Sequence, residues 1–331
     1  MYSLLYEFES CLFMKKIFQF LYLNFICRFT RLEILVRHIY WHNYSLFHKY
    51  KPSYKENGKC GSKCDFNILL DVLDKYSLKG KIVIVHSSYG ELESTGLSPE
   101  EIVDKLIDFL GPDSTLVMPC LRKFKEMGKK EDILKKDLSN VLIRYNIKKS
   151  PVVSGFLPFA LLRKEGSCAS RFPLTPVVAY GKYAKEIVEH NIDGDFLTSH
   201  GPNSSWKFCY DHDAVVIGLG VVLNHFLSII HVREDNDPDW PVRDWYRKLK
   251  FDVVDGDFHK QISVHERIPK WGLLYSPDGV FKRDMYKNEI IKVNRESGID
   301  VSIAYSSAIL DFIKRHPNRT YPFYIPKKYY K

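Results

Sequence analysis

The 331-residue chain contains no apolar run approaching the ~18 residues that a membrane-crossing helix requires. Glu7 and Glu9 stand where the basic n-region of a cleavable signal peptide would lie, so no such peptide is expected. Internal repeats and low-complexity tracts are absent, which excludes solenoids and fibrous chains. Seven cysteines are too few and too irregularly spaced for a disulfide framework, and the count is odd. Cys60 and Cys64 form the only close pair, with no second Cys or His pair nearby. They read as reduced thiols in a linker, and no metal is expected. Positive charge is in surplus by nine, yet six of that excess falls within residues 1–64. The rest is close to neutral, so no field suited to nucleic acid covers the main body. A cytoplasmic protein is expected.

The first fifty residues differ in composition from the rest of the chain. Fourteen are aromatic, among them Phe18, Phe25, Phe29, Tyr40 and Trp41, with Lys15, Lys16, Arg28, Arg31 and Arg37 threaded between them. Met14 to Tyr44 lacks Gly and Pro and reads as helix. Such an arm can pack on the body or on a second copy of the chain as a homodimer contact. It can equally lie on a membrane surface, which would place the protein peripherally at the inner face. The aromatics occupy too many sides of the helix to choose, so both roles stay open for residues 14–50. Residues 51–64 are polar with Gly and Pro and read as a linker, giving an arm over 1–64 and a main domain over 65–331.

From Asp65 onward, helical and strand patterns alternate. Asn67–Tyr76 has apolar residues at helical spacing, and Lys81–His86 is a short continuous apolar run. Ser98-Pro99-Glu100-Glu101 carries a capping-box signature with Pro in the first turn, and the helix it opens stops at Gly111-Pro112. Ser114–Pro119 is a second buried strand, so strand, helix and strand form a βαβ unit. Helices follow at Phe156–Arg163 and Tyr183–His190, and strands at Val177–Tyr180 and Ala214–Leu219. Residues 250–300 read as irregular or antiparallel β, and Ser302–Lys314 as a closing amphipathic helix. The expected class is α/β, with a mixed, largely parallel central sheet flanked by helices and an N-terminal helical arm.

Two clusters can carry chemistry. The strand at Lys81–Val85 ends in His86-Ser87-Ser88, and ligands of α/β sheets bind beyond the carboxyl ends of strands. Hydroxyls and free N–H groups there suit a phosphate or an amide-bearing chain, or simply cap a turn. The second cluster, Ile230 to Glu234, places His231 and Glu234 three residues apart on one side of a helical turn. A carboxylate so placed fixes the tautomer of an imidazole that acts as a general base, although a surface ion pair has the same spacing. Asp235, Asp237 and Asp239 follow directly. They would attract an ammonium substrate and raise the pKa of His231.

In order, these segments resemble the acetyl-CoA-dependent, non-GNAT aminoglycoside 3-N-acetyltransferase family from about Asn67 to Leu310. KGKIVIVHSS (79–88) is similar to the family's strand ending in His-Ser-Ser, and LGPDSTLVMP (110–119) to its Leu-Gly-Pro-x-Gly-Thr-Leu-Val-Met-Pro stretch. SRFPLTPVVAYG (170–181), GPNSSW (201–206) and the segment from Ile230 to Glu234 fall where the family has Arg-Ser-x-His-Pro, Gly-x-x-Ser-Pro and Leu-His-x-Ala-Glu. Ala169, Phe172 and Pro176 depart from the pattern, as do Ser205 and Arg233.

The resemblance implies N-acetylation of an amino sugar, with His231 as base and Glu234 as its partner. The acceptor could be an aminoglycoside or a nucleotide-linked amino sugar, as in antibiotic resistance or polysaccharide biosynthesis. It implies acetyl-CoA lying along His86, Ser87 and Ser88, with Ser170 and Ser204 nearby, and Asp235 and Asp237 serving the substrate amine. The alternative is a diverged, non-catalytic module that binds glycan or CoA.

Overall fold

Short runs rich in Val and Ile form the strands of this protein because they can be covered on both faces. The computed structural model describes residues 25–48, 64–221 and 227–331. In chain order the described strands are β1 (Ile82–Ser87), β2 (Thr115–Pro119), β3 (Leu142–Asn146), β4 (Cys168–Ala169) and β5 (Val177–Gly181). They continue with β6 (Val215–Leu219), β7 (Tyr246–Asp255), β8 (Phe258–Arg267), β9 (Lys292–Asn294) and β10 (Val301–Tyr305). Seven build one sheet in the order β4-β5-β2-β1-β6-β10-β9. The expected α/β architecture is present, with the parallel pairing confined to the centre, β2-β1-β6. The flanking strands are antiparallel.

Alternation along β1 explains its position. Val83 and Val85 face one layer, which includes Leu69, Leu106 and Leu161 from the helices Phe66–Asp74, Pro99–Leu110 and Phe156–Arg163. Ile82 and Ile84 face the other, with Trp206 and Ile309 from the helices Ser205–Asp211 and Ser306–Arg315. The capping box at Ser98 forms as its sequence requires: Ser98 Oγ accepts from the Glu101 N–H at 3.2 Å, and the Ser98 N–H donates to the Glu101 carboxylate at 2.8 Å. Gly181 ends β5 with φ of +115°, and a Cβ there would stand 2.3 Å from the Ser114 carbonyl oxygen. Only glycine lets β5 pass so close to the start of β2.

A second sheet, β3-β7-β8, lies outside the main one. Its β7–β8 hairpin, with ten residues in each strand, packs Phe251 and Val264 with Tyr145 in a separate core. The His265 N–H donates to the Leu197 carbonyl at 2.7 Å, which ties this sheet to the loop preceding the Ser205–Asp211 helix.

Three sequence expectations need correction. Ser302–Tyr305 belongs to β10 rather than to the closing helix, which begins at Ser306. The run from Val301 to Tyr305 is buried between β6 and β9, and that pairing overrides the helical spacing. Within 250–300, the hairpin gives way to two helices, Pro269–Tyr275 and Asp278–Lys287. The expected Met14–Tyr44 helix lies partly outside the described residues. Within them it runs from Thr30 to His42, because Phe29 takes an extended conformation.

That arm helix is held by charge as well as by its rings. Arg37, 3% exposed, donates to the Leu273 and Gly272 carbonyls and to Asp278 Oδ2 at 3.0 Å. Glu33, fully buried, accepts from the Gly279 and Val280 N–H groups at the start of the Asp278–Lys287 helix. Its carboxylate thereby meets otherwise unsatisfied donors at the positive end of a helix. Replacing Arg37 by Met would remove the buried guanidinium that Asp278 and two carbonyls share. We expect a loss of roughly 3 kcal/mol in unfolding free energy, measured by urea titration followed by far-UV circular dichroism.

Candidate active site

β1 and β6 are parallel and end together. His86 pairs with Gly218 and Ser87 with Leu219, and the Ser88 N–H donates to the Leu219 carbonyl at 3.0 Å. Beyond β6 the chain returns as a 3-10 turn, Ser228–His231, that runs into the one-turn helix Val232–Asp235. His231 sits at this junction, and the helical spacing brings Glu234 beneath it: Nδ1 lies 2.7 Å from Glu234 Oε1. With the proton on Nδ1 the ring donates to this carboxylate and the Nε2 lone pair is the basic site; with the proton on Nε2, Nδ1 instead accepts from Arg267 Nη1, 2.7 Å away. The Glu234 side chain is 1% exposed, whereas His231 keeps 22% of its side-chain surface in solvent.

Arg267, the last residue of β8, completes the cluster. Its Nη1 lies 2.9 Å from Glu234 Oε1, 2.7 Å from His231 Nδ1 and 3.3 Å from Nε2. Two donors, Arg267 Nη1 and His231 Nδ1, converge on one carboxylate oxygen. Phe323 lies under the group, its ring centroid 5.2 Å from the guanidinium carbon and 6.2 Å from the His231 ring. A series of rings connects the cluster to the end of β1. His231 to His200 is 5.2 Å between centroids, His200 to Trp206 is 5.3 Å, and Trp206 to His86 is 6.3 Å.

Burial, and then the Arg267 guanidinium, hold the His231 imidazole well below the ordinary histidine range. The sequence pointed the other way, toward a raised value from the acidic run. That run does not face the ring. Asp235 accepts from the His200 N–H at 2.9 Å and from the Tyr246 hydroxyl at 2.7 Å, while Asp237 is ion-paired with Arg233 and Arg319. Burial pushes the Glu234 carboxyl up to about 7 against the pull of Arg267, and pushes Asp235 up to about 6. His200 is also held well below its usual range, by burial first and by its neighbours His231 and Arg267 next.

The remaining expected site residues divide. Ser87 and Ser88 are half-buried at the end of β1, and their hydroxyls bond to no described residue. His86 is buried against Trp206. Ser170 and Ser204, expected near the cofactor, have internal roles instead. Ser170 Oγ donates to Asn191 Oδ1 at 2.6 Å and accepts from the Phe172 N–H. Ser204 Oγ donates to the Gly201 carbonyl and accepts from the Lys207 N–H as a helix cap. Asp235 and Asp237, expected to draw the substrate amine, are likewise spent on the protein's own donors. Asp235 is buried, and the Asp237 side chain is 10% exposed.

His200 and Arg267 were not among the expected site residues. His200 directly precedes the Gly201–Trp206 segment and could have been noticed there. Arg267 has no sequence signal, since only the fold brings β8 to the turn after β6. A separate groove of about 810 Å³ opens at the edge strand β4, with Arg163, Arg171, Lys148 and Lys185 on its rim and Phe159 in its wall. Burial pushes the Cys120 thiol up to about 11 and the Cys209 thiol up as well, so neither is an activated nucleophile. Among the described residues no group of His, Cys, Asp and Glu could hold a metal ion.

Residues 84–271, more than half of the chain, match the family model described as aminoglycoside 3-N-acetyltransferase. The chain belongs to that family. It is therefore an acetyl-CoA-dependent N-acetyltransferase. Solved structures agree with this aminoglycoside 3-N-acetyltransferase fold. AAC-VIa bound to sisomicin is 16% identical over 75% of this chain and 95% of that one, with a TM-score of 0.61. AAC-IIIb with CoASH is 17% identical over 75% and 94%, also at 0.61. The apoenzyme of AAC(3)-IVa is 18% identical over 82% and 95%, at 0.58. At these identities the likeness is one of fold. No curated protein sequence matches significantly.

A depressed His231 pKa has a spectroscopic consequence. Nitrogen-edited NMR of histidine-labelled protein should show the His231 ring neutral, with its proton on Nδ1, at pH 6.5, where an unperturbed histidine is half charged. A His231 signal that titrates at or above pH 6.5 is the contrary result.

Proposed function

We propose that the chain transfers the acetyl group of acetyl-CoA to the amine of an amino sugar, an aminoglycoside or a nucleotide-linked amino sugar, with His231 as general base. The observation that carries this is the 2.7 Å pair of His231 and Glu234, set on the turn after β6 and linked through three ring contacts to the end of β1. Residues 65–331 serve as the transferase domain in this reading, with residues 1–64 as an appended arm.

Bound acetyl-CoA supplies an activated acyl group as a thioester. The half-buried loop at His86, Ser87 and Ser88 suits its amide-bearing arm, since two hydroxyls there have no partner among the described residues. An ammonium group has no lone pair, so the acceptor must lose a proton before or while it attacks the carbonyl carbon. His231 is suited to this in the tautomer with its proton on Nδ1, because the ring is held neutral and the Nε2 lone pair is then the base. As the C–N bond forms and the C–S bond breaks, His231 takes the amine proton on Nε2, and the electron pair leaves on sulfur. The same imidazolium can return its proton to that sulfur. Glu234 accepts from Nδ1 in this tautomer and stabilises the ring's charged form, and Arg267 favours the ionised carboxylate.

The arm bears on location. Its described part turns Phe25, Phe29, Leu35 and Ile39 outward, each at least half exposed. An outward apolar face supports either peripheral membrane contact or a contact with a second copy.

His231→Ala should lower kcat by about 10²–10⁴-fold while leaving the affinity for CoA within a few-fold of the wild type. Thiol release assayed with dithiodipyridine and CoA titration by calorimetry measure the two separately. Unchanged turnover in the variant would remove His231 from the mechanism. Failure of the wild type to bind CoA would favour a non-catalytic binding module.

A further inference from the structure

Charge around the base points to a particular class of acceptor. We infer that the acceptor carries an anionic group, phosphate or carboxylate, close to the amine that is acetylated, and that Arg267 receives it. This rests on the acetyl-transfer reading above and narrows its substrate.

The carboxylates of the His231 turn hold donors of the protein itself, although Glu234 Oε2 is buried without a hydrogen-bond partner. Glu234 is held by His231 and Arg267, and Asp235 by the His200 N–H and the Tyr246 hydroxyl. Asp237 is held by Arg233 and Arg319. Asp239 is exposed, but it lies next to Asp237 on the side where Arg319 donates to the Asp239 carbonyl. Glu266, beside Arg267 in sequence, is paired with Arg247 at 2.6 Å. A polycationic acceptor approaching His231 would thus meet a guanidinium 2.7 Å from the ring, while the unpartnered Glu234 Oε2 is buried.

Arg267 itself is only half used. Nη1 serves Glu234 and His231, while Nε and Nη2 bond to no described residue. The side chain remains 28% exposed. Gly272, in the following helix, puts no side chain against the guanidinium. A Cβ there would stand 3.5 Å from Nη2 and 3.8 Å from Nε. A guanidinium edge with two parallel N–H groups matches the oxygens of a phosphate or carboxylate. Because the other side of the same group already touches the base, an anion held there lies beside the reacting nitrogen. The acceptor then has its amine and its negative charge on one sugar unit.

The test is a steady-state comparison with acetyl-CoA and five acceptors: sisomicin, glucosamine, glucosamine 1-phosphate, glucosamine 6-phosphate and uridine diphosphate-glucosamine. Wild type, Arg267→Gln and Arg267→Lys are assayed side by side. We expect at least one phosphorylated acceptor to exceed both glucosamine and sisomicin in kcat/KM. Arg267→Gln should raise KM for that acceptor about ten- to hundredfold and Arg267→Lys by less, with KM for glucosamine little changed. A purely structural role for Arg267 would depress kcat for every acceptor and would not produce this split in KM. Wild-type preference for sisomicin, or an equal rise in KM for charged and uncharged acceptors, overturns the inference but leaves acetyl transfer standing. Turnover of none of the five overturns the acetyl-transfer reading as well.

Discussion

One buried carboxylate oxygen joins the two sheets of this protein. Glu234 Oε1 receives His231 from the connection that leaves the seven-stranded sheet and Arg267 from the tip of the three-stranded one. A carboxyl group that is 1% exposed ionises easily only if donors replace the water it has lost, and burial pushes this one up to about 7 despite Arg267. Oε1 has one neighbour three residues away and another 33 residues away, while Oε2 is buried with no hydrogen-bond partner. Two consequences result: the guanidinium is drawn to the ring, and the base stays neutral because it is buried and has a cation as its neighbour.

The surrounding polar residues hold this arrangement in place. Asp235 clamps the His200 segment and Tyr246 of β7, and Asn236 donates to the His200 carbonyl at 2.7 Å. Asn191 gathers Ser170 and Ser205 behind the rings, so two loops and a helix share one amide. Hydroxyls and carboxylates that resemble ligand-binding groups in the sequence thus serve the scaffold, as is usual for buried polar atoms. Ser87 and Ser88 differ because they stand at the open end of the central strands.

Much of the fold was legible because its signals are local. The Ser98 capping box, the apolar runs that became β1, β2, β5 and β6, and the Phe156–Arg163 helix are set by residues within a turn or a strand of one another. Where that reading erred, distant partners decided. Val301–Tyr305 is a strand because β6 and β9 lie on either side of it. The arm reads as basic and aromatic, yet it is anchored by Glu33 and Arg37, whose partners lie about 240 residues away.

The site divides along the same line. His231 and Glu234 are three residues apart, so a single helical turn brings them together and the sequence alone determined their contact. The sign of the field around them was not so determined. Asp235 and Asp237 look like the neighbours of the imidazole in the sequence, but one is turned to a tyrosine and a backbone N–H, and the other to two arginines. The charge that does reach His231 comes from Arg267, 36 residues away. Electrostatic energy depends on distance through space and on what else a charge is bonded to, and only the packing of the second sheet against the turn after β6 decided either.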